Sequence, residues 1–395
     1  MSSEAGSEGQ KRAVRLMSLD ALRGFDMLWI MGFSGVVIAL CTLLGVPDCW
    51  FALQMKHVSW HGFRHHDTIF PLFLFLAGVS WPFSHASQVD RGLSTGRIIL
   101  RCVKRMSGLI LLGLIAGGAL QFDFTRYRYD SVLAHIGVCW FGAAILYILV
   151  RNWKARLAIV VAMLAAHWLV LANFIAPDAA QLLASKDPAV AKQVAAYAAY
   201  GTDNFSFTGN IAGWIDRTFM PGRFSENPLF DADGLFGKVT GIALALLGVL
   251  AGELLRSRLS GNRKTVILLV AAAISIALTF AWQPFCPVNK KIWTSTFVLA
   301  AAGYSFGLLA LFYWIVDVRG FRRWTFFFRV IGMNSITIYM LMRVVSFPAT
   351  AKFFFGGVAS WGNADWSRFV LLLGQVLVEW IVLWYLHRKG TFLKV

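Results

Sequence analysis

The sequence predicts an all-α fold: a polytopic membrane helix bundle of about ten transmembrane helices with both termini cytoplasmic. Three observations carry that expectation. The 395 residues are 58% hydrophobic and only 14% charged, where a soluble domain carries about 25% charged residues. Apolar runs near the ~20 residues that span a bilayer recur along the whole chain. The basic residues collect in every second connection between those runs. The same dispersal answers the formal charge of +17: cations spread over short loops between apolar spans do not make a nucleic-acid surface.

Residues 1–15 (MSSEAGSEGQKRAVR) are small and polar and read as a disordered cytoplasmic tail. A single transmembrane domain then fills 16–395. Its first apolar run, 26–46, is too long for a signal-peptide core and no small-residue cleavage site follows it, so it reads as an uncleaved span. Further spans are expected at 67–85, 106–121, 132–150, 157–176, 236–255, 265–285, 293–316, 329–347 and 368–386, the second and third being short. Between the fifth and sixth lies a polar insert, about 177–235, long enough to be a small folded unit. With the N-terminus inside, the basic clusters around Arg23, Arg97/Arg101/Lys104/Arg105, Arg151/Lys154/Arg156, Arg256/Arg258/Arg263/Lys264, Arg319/Arg322/Arg323 and Arg388/Lys389 all fall on the cytoplasmic side, as do Lys11, Arg12, Arg15 and Lys394. They hold most of the 37 Lys and Arg. No internal repeat of the kind seen in many transporters is visible. The five cysteines show no metal spacing and read as buried thiols; Cys49 and Cys286 share the predicted outer side, which leaves a disulfide between them open.

The chemistry concentrates in 55–71, MKHVSWHGFRHHDTIFP, at the outer mouth of the second span. Four of the eight histidines are here (His57, His61, His65, His66), and titratable groups flanked by lipid-compatible sequence call for a functional reason. Three readings stay open on the residues alone. His57, His61 and His65 at i, i+4, i+8 would lie within about 80° on a helix, a conceivable metal face, though no Cys or second carboxylate stands nearby. The stretch could equally be an interfacial loop whose histidines and Trp60 meet headgroups. The third reading is catalysis: an imidazole takes a proton from an attacking amine or hydroxyl, or carries an acyl group, and Asp67 would orient it. Asp20 and Arg23, with Asp26, open the first span, where anchoring and function are equally good explanations. Arg126 and Arg128 stand outside the fourth span and His135 just inside it. Asn289, Lys290 and Lys291 follow Pro287 in a short outer loop. Asn334 and Ser335 lie inside the ninth span and Glu379 inside the tenth, where a polar side chain needs a partner or a ligand.

Taken together these segments resemble the heparan-α-glucosaminide N-acetyltransferases and their bacterial relatives. KHVSWHGFRHHDTIFPLFLFLAGVS carries the pattern of a His, a Trp three residues on, a Gly two beyond, and an Asp shortly before a Phe-Pro-x-Phe span. SLDALRGFDM, YDSVLAHIGV, FDADGLFGKVTGIALALLGVLAG, PVNKKIWTSTFVLAAAGYSFGLLAL, VDVRG and GMNSITIYM follow the same family order, from about Leu16 to Tyr339. The resemblance implies an acetyltransferase that carries acetyl from cytoplasmic acetyl-CoA to an amino sugar on the far face, with His57 as the active-site histidine and Asp67 its acid. It implies acceptor contacts at Trp60, His61, Arg128, Asn289, Lys290, Asn334 and Ser335; on chemical grounds Asn289 or Asn334 is expected to donate to the thioester oxyanion. Donor contacts are expected at Asp20, Arg23, Arg101, Lys104 and Arg105; the partners are acetyl-CoA, the acceptor sugar and the bilayer, with no metal and no nucleic acid, and a second copy of the chain is left open. The chain departs from animal relatives at His61, where they have Asn, and at Ala134-His135, where they have Gln-Arg, so the acceptor is the less determined half. No lumenal domain like that of the animal enzymes precedes the first span, which makes a bacterial inner membrane the expected location. An O-acyltransferase of a cell-envelope glycan, and a transporter using His57 and Asp67 as a proton couple, are the rival functions.

Overall fold

A computed structural model of the chain describes residues 16–122, 128–222, 224 and 229–392; the expected tail 1–15, Arg126 and Lys394 lie outside them. The helices are α1 (Met17–Leu28), a π-helical turn (Trp29–Phe33), α2 (Ser34–Leu43), α3 (Trp50–Gln54), α4 (His65–Asp90), α5 (Thr95–Ala116), α6 (Val132–Leu149), α7 (Trp153–Asn173), α8 (Ala179–Leu183), α9 (Pro188–Ala196), α10 (Ile211–Phe219), α11 (Gly237–Arg256), α12 (Gly261–Trp282), α13 (Ser295–Tyr313), α14 (Thr325–Gly332), α15 (Ser335–Val344), α16 (Phe347–Ala359) and α17 (Ala364–Arg388). Among the described residues there is no strand, only two isolated bridges, Arg128 with Gly222 and Ile175 with Asn210.

Among the described residues, eight helices are long and apolar enough to cross a membrane, or nine if α14 and α15, meeting at a 65° bend, form one broken span. In place of the expected third span stands the helix α5, 22 residues long, whose first half carries Arg97, Arg101, Lys104 and Arg105. It is not among the eight apolar helices, so the described residues give eight or nine spans where about ten were expected. The first span begins at Met17 rather than 26. Its polar residues turn inward: the Ser18 side chain donates to Asp317, the Arg23 guanidinium donates to Ser80, and Asp20 and Asp26 are buried. The ninth span is broken at Met333–Asn334, and α16, which hydropathy did not separate, pairs with α17.

α4, α11 and α13 form the buried centre, while α7, α12 and α17 present broad faces to the surroundings. α4 and α11 touch backbone to backbone. Gly248 and Gly252 of α11 sit on the Phe75 and Val79 carbonyls of α4, and Gly78 of α4 sits on Ala245. A side chain at any of these would collide with main chain, which is the small-residue packing that joins helices in lipid. Gly24 and Gly332 join α1 to α14 in the same way.

The connections after α2, α5, α7 and α12 meet at one end of the bundle, the His57 face. The insert there has its own core of Phe207, Ile211, Leu229 and Phe230, with α8, α9 and α10 around it. The tryptophan at its centre, Trp60, comes from the His57 loop. At the opposite end, the short turns are tied by Arg156 to Glu253 and by Lys264 to the Leu255 carbonyl.

Candidate active site

Asp67 sits in the first turn of α4 and acts as its cap: its Oδ2 accepts the Arg64 backbone N–H at 3.2 Å and that of Val58 at 3.4 Å. The other oxygen, Oδ1, accepts a hydrogen bond from His57 Nδ1 at 2.7 Å. Asp67 is 1% exposed while the His57 side chain is 53% exposed. This geometry assigns the proton to Nδ1 and leaves the Nε2 lone pair facing the open side. The loop between them is held in place: Arg64 donates to the His57 carbonyl at 3.1 Å, Gln54 Oε1 accepts the His65 N–H at 2.9 Å, and Gly62 donates to Val288 at 2.8 Å from a φ of +129° that favours glycine.

A second loop supplies Lys290. Its Nζ lies 3.7 Å from Asp67 Oδ1 and 3.4 Å from His57 Nδ1. With the Nδ1 proton committed to Asp67, the ammonium acts on the carboxylate as a charge partner. Burial pushes the Lys290 ammonium below the usual lysine range, against the pull of Asp67. The turn carrying it is over-determined. Asn289 Oδ1 accepts the Lys291 N–H at 2.8 Å, Thr294 Oγ1 accepts the Asn289 N–H at 2.9 Å, and Trp293 holds a left-handed φ of 50°. A bulky residue stays there only where its surroundings fix it, and they do: Trp293 stacks on His135 at 4.5 Å and donates to the Ala232 carbonyl at 2.9 Å.

The remaining histidines part company. His66 faces the His57 ring at 4.4 Å and bonds Ser34 at 3.1 Å; His65 bonds the Tyr304 hydroxyl at 2.6 Å; His61 takes the Asn289 amide at 3.4 Å. His57, His61 and His65 therefore do not converge, and among the described residues no three His, Cys, Asp or Glu side chains form a metal-holding group. Trp60, expected to touch substrate, is fully enclosed and donates to the Phe205 carbonyl at 2.9 Å; it positions the loop. Arg128 is engaged by Asp231 at 2.8 Å and Asp233 at 2.7 Å, clamping the α5–α6 connection to the insert. His135 bonds the Asp233 carbonyl at 3.0 Å inside the same cluster. Cys286 is buried beside Thr296, and the neighbour of Cys49 is Cys41, with the sulfurs 3.4 Å apart; all five cysteines are free.

One turn below Asp67, a cavity of about 300 Å³ opens between α1, α4, α5, α6 and α15. Arg23, Arg105, Met333 and Ser335 are all among its lining residues. Ser335 thus stands with the arginines and away from His57. Asn334, beside it in the chain, is 2% exposed, with both amide atoms free of partners among the described residues. Arg105 lies over Trp140 at 4.2 Å, and its Nε is buried without a partner. Two guanidiniums beside one void, with Asp20 at 3.7 Å from Arg23 as a nearby counter-charge, favour an anionic occupant. Arg101 and Lys104 are exposed on the outer side of α5 and do not reach the cavity. Along α4, Ser80, which binds Arg23, lies about 20 Å from Asp67 at ~1.5 Å per residue. Sequence reasoning missed Ser34, Tyr304, Tyr200 and Asp203 around the histidines, because each reaches the loop from a distant segment.

No protein-family model matches the chain. Among curated proteins, human heparan-alpha-glucosaminide N-acetyltransferase is 28% identical over 96% of the chain and 60% of its own length. The mouse enzyme of the same name is 27% identical over 97% of the chain and 61% of its own length. The chain spans about three fifths of these relatives. The chain is thus similar to these two heparan-alpha-glucosaminide N-acetyltransferases along nearly its whole length.

Proposed function

We propose that the chain is a transmembrane acetyltransferase that takes acetyl from acetyl-CoA at its basic face and delivers it to the amine of an amino sugar at the His57 face. The observation that carries this reading is the His57–Asp67 pair, 2.7 Å apart with Nε2 free, one turn above a cavity lined by two arginines. The names of the human and mouse relatives supply the reaction and the glucosaminide acceptor. The basic turns at the opposite end make that end cytoplasmic, and His57 extracytoplasmic. A bacterial inner membrane is the location that goes with the motif resemblance.

The mechanism follows from charge and reach. CoA phosphates are anions that hydrocarbon excludes, so Arg23 and Arg105 hold the donor's anionic part while its uncharged arm and thioester extend along the cavity toward α4. Asn334, whose amide has no partner among the described residues, lies beside the arginine-lined cavity and hydrogen-bonds the donor's uncharged arm there. The acceptor amine attacks the carbonyl carbon; the C–N bond forms, the C–S bond breaks, His57 Nε2 takes the amine proton, and the thiolate leaves and is protonated from solvent. Asp67 stabilises the resulting imidazolium, and Lys290 keeps Asp67 ionised. The same Nε2 can instead carry the acetyl group between the two partners; labelled acetyl retained on protein without acceptor separates the routes. Purified protein given labelled acetyl-CoA and a panel of amino sugars tests the reading. His57→Ala should abolish transfer while the protein stays folded in the membrane, and an active variant would overturn the assignment.

A further inference from the structure

The edge of the insert nearest the catalytic loop takes no part in the mechanism above. One turn of the second loop reaches two histidines at once: Lys290 lies at His57, and Asn289 donates from Nδ2 to His61 Nδ1 at 3.4 Å. His57 and His61 are therefore neighbouring positions on one floor. The Asn289 amide occupies His61 Nδ1, so the His61 proton sits on Nε2 and is offered outward. Burial, opposed only by Asp203, lowers the His61 pKa and keeps that ring a neutral donor at neutral pH.

Over this floor stands Tyr200. Its ring meets the His61 ring edge to face at 5.6 Å and 85°. Tyr200 ends the short 3-10 turn Ala198–Tyr200. The ring behind it, Tyr197, is fixed by stacking on Phe207 at 4.3 Å and by the Lys291 ammonium, which donates to its hydroxyl at 2.9 Å. Gly201, at φ +73°, then folds the chain back, and Asp203 follows. Asp203 Oδ1 caps the Phe205 N–H at 2.9 Å, which leaves Oδ2 for a ligand. Tyr200 and His61 are half-buried, at the rim of the aromatic core rather than inside it.

We propose that His61, Tyr200 and Asp203 form a carbohydrate subsite that seats the acceptor's pyranose ring beside His57. A rigid aromatic face covers the C–H face of the sugar, a neutral imidazole donates to one hydroxyl, and a carboxylate accepts from another or attracts the incoming ammonium. The charges fit such an acceptor: Asp203 draws the ammonium in, whereas Lys290 beside His57 repels it, so the amine gives up its proton before attack. A bare amine needs none of the three residues, and that difference separates a subsite from a merely structural edge. The inference rests on the acetyltransferase reading of His57.

The test uses full-length protein in liposomes, with an aryl β-glucosaminide and hydroxylamine as alternative acceptors, and the variants Tyr200→Ala, Tyr200→Phe and Asp203→Asn. Tyr200→Ala should raise KM for the glucosaminide about ten-fold or more. It should leave KM for acetyl-CoA and the hydroxylamine rate unchanged, and Tyr200→Phe should restore glucosaminide KM to near wild type. Equal loss with both acceptors, or a glucosaminide KM within about two-fold of wild type in both Tyr200→Ala and Asp203→Asn, would overturn the subsite. If wild-type protein releases no CoA with either acceptor, the acetyltransferase reading fails on its own. Calorimetric binding of the glucosaminide without donor then decides the subsite separately: weaker binding by Tyr200→Ala upholds it, and equal binding ends it.

Discussion

Asp67→Asn is the most searching single perturbation, because the replacement keeps shape and removes only charge and symmetry. The carboxylate now does three things: it accepts from His57 Nδ1 at 2.7 Å, accepts two backbone N–H groups through its other oxygen, and faces Lys290 at 3.7 Å. An asparagine amide cannot repeat this. If its oxygen faces His57, its NH2 points at the N–H groups of Val58 and Arg64, and buried donors meet donors. If it flips, the oxygen caps α4 but the NH2 faces Nδ1, so the histidine proton moves to Nε2 and the lone pair that does the chemistry is gone. The unflipped form loses the cap, about 1 kcal/mol, and leaves buried donors facing donors, about 1–3 kcal/mol more. The flipped form keeps both hydrogen bonds after a tautomer change, so the flipped form should prevail. The wrong tautomer then dominates, and kcat should fall by about 10²–10⁴-fold. KM for acetyl-CoA should hold, because Arg23 and Arg105 are untouched. Steady-state transfer of labelled acetyl to an amino sugar measures both constants, and a melting curve confirms the fold. A kcat within about three-fold of wild type in a folded variant would refute the dyad and the tautomer argument together.

Arg23→Met and Arg105→Met should each raise KM for acetyl-CoA about 10–100-fold with a smaller effect on the glucosaminide KM; equal effects on both substrates would place the donor elsewhere. Gly248→Leu should prevent stable folding, because the side chain meets the Phe75 carbonyl; overpacking of this kind costs about 1–3 kcal/mol or more, and the monodisperse fraction after detergent extraction reports it. Burial raises the Asp233 carboxyl to about 6 from its usual 3.8 in spite of Arg128. The folded state therefore binds this proton more readily than the unfolded chain. Its contribution to stability is fully present below pH ~4 and lost as pH rises through ~6; Asp233→Asn should flatten the corresponding slope of Tm against pH.

How much of this could be read from the chain depended on whether a residue's partner was local. Apolar runs gave most spans, because a membrane helix satisfies its own backbone and only its length and hydropathy are in question. Hydropathy failed where polar residues face inward. Asp20, Arg23 and Asp26 made the start of the first span look like a cytoplasmic approach, yet Arg23 is met by Ser80 and Asp26 is buried within the helix. The charged half of α5 caused the same difficulty: Arg105 turns into the bundle while Arg101 and Lys104 stay exposed. In the site, His57 and Asp67 are ten positions apart on one loop and helix end, and their pairing could be anticipated. That Trp60 is an anchor and Arg128 a clamp could not, because their partners, Phe205 and Asp231, come from the insert. Tyr200 and Asp203 carried no signal at all, being ordinary polar residues in a loop.

On the proposed reading, the irregular backbone is what would let one site serve both sides of a membrane. Within a bilayer, broken helix is tolerated only where it is covered by protein or lines a cavity. The two clearest breaks in the membrane helices are the π-turn Trp29–Phe33, with Gly32 at φ 105°, and the 65° bend between α14 and α15. Both contribute to the same void: Ile30 from the first, and Gly332, Met333 and Ser335 from the second. A regular α1 and a straight α14–α15 would pack that space closed, since Gly24 and Gly332 already bring α1 and α14 into backbone contact next to it. The breaks thus border the cavity between Arg23 and the foot of Asp67, the space that on the proposed reading a donor would occupy for its acyl carbon to approach His57 while its charges remain at the basic end. On this argument the histidine loop supplies the chemistry and the two broken spans supply the reach, so straightening either span should close the donor path while leaving the His57–Asp67 pair intact.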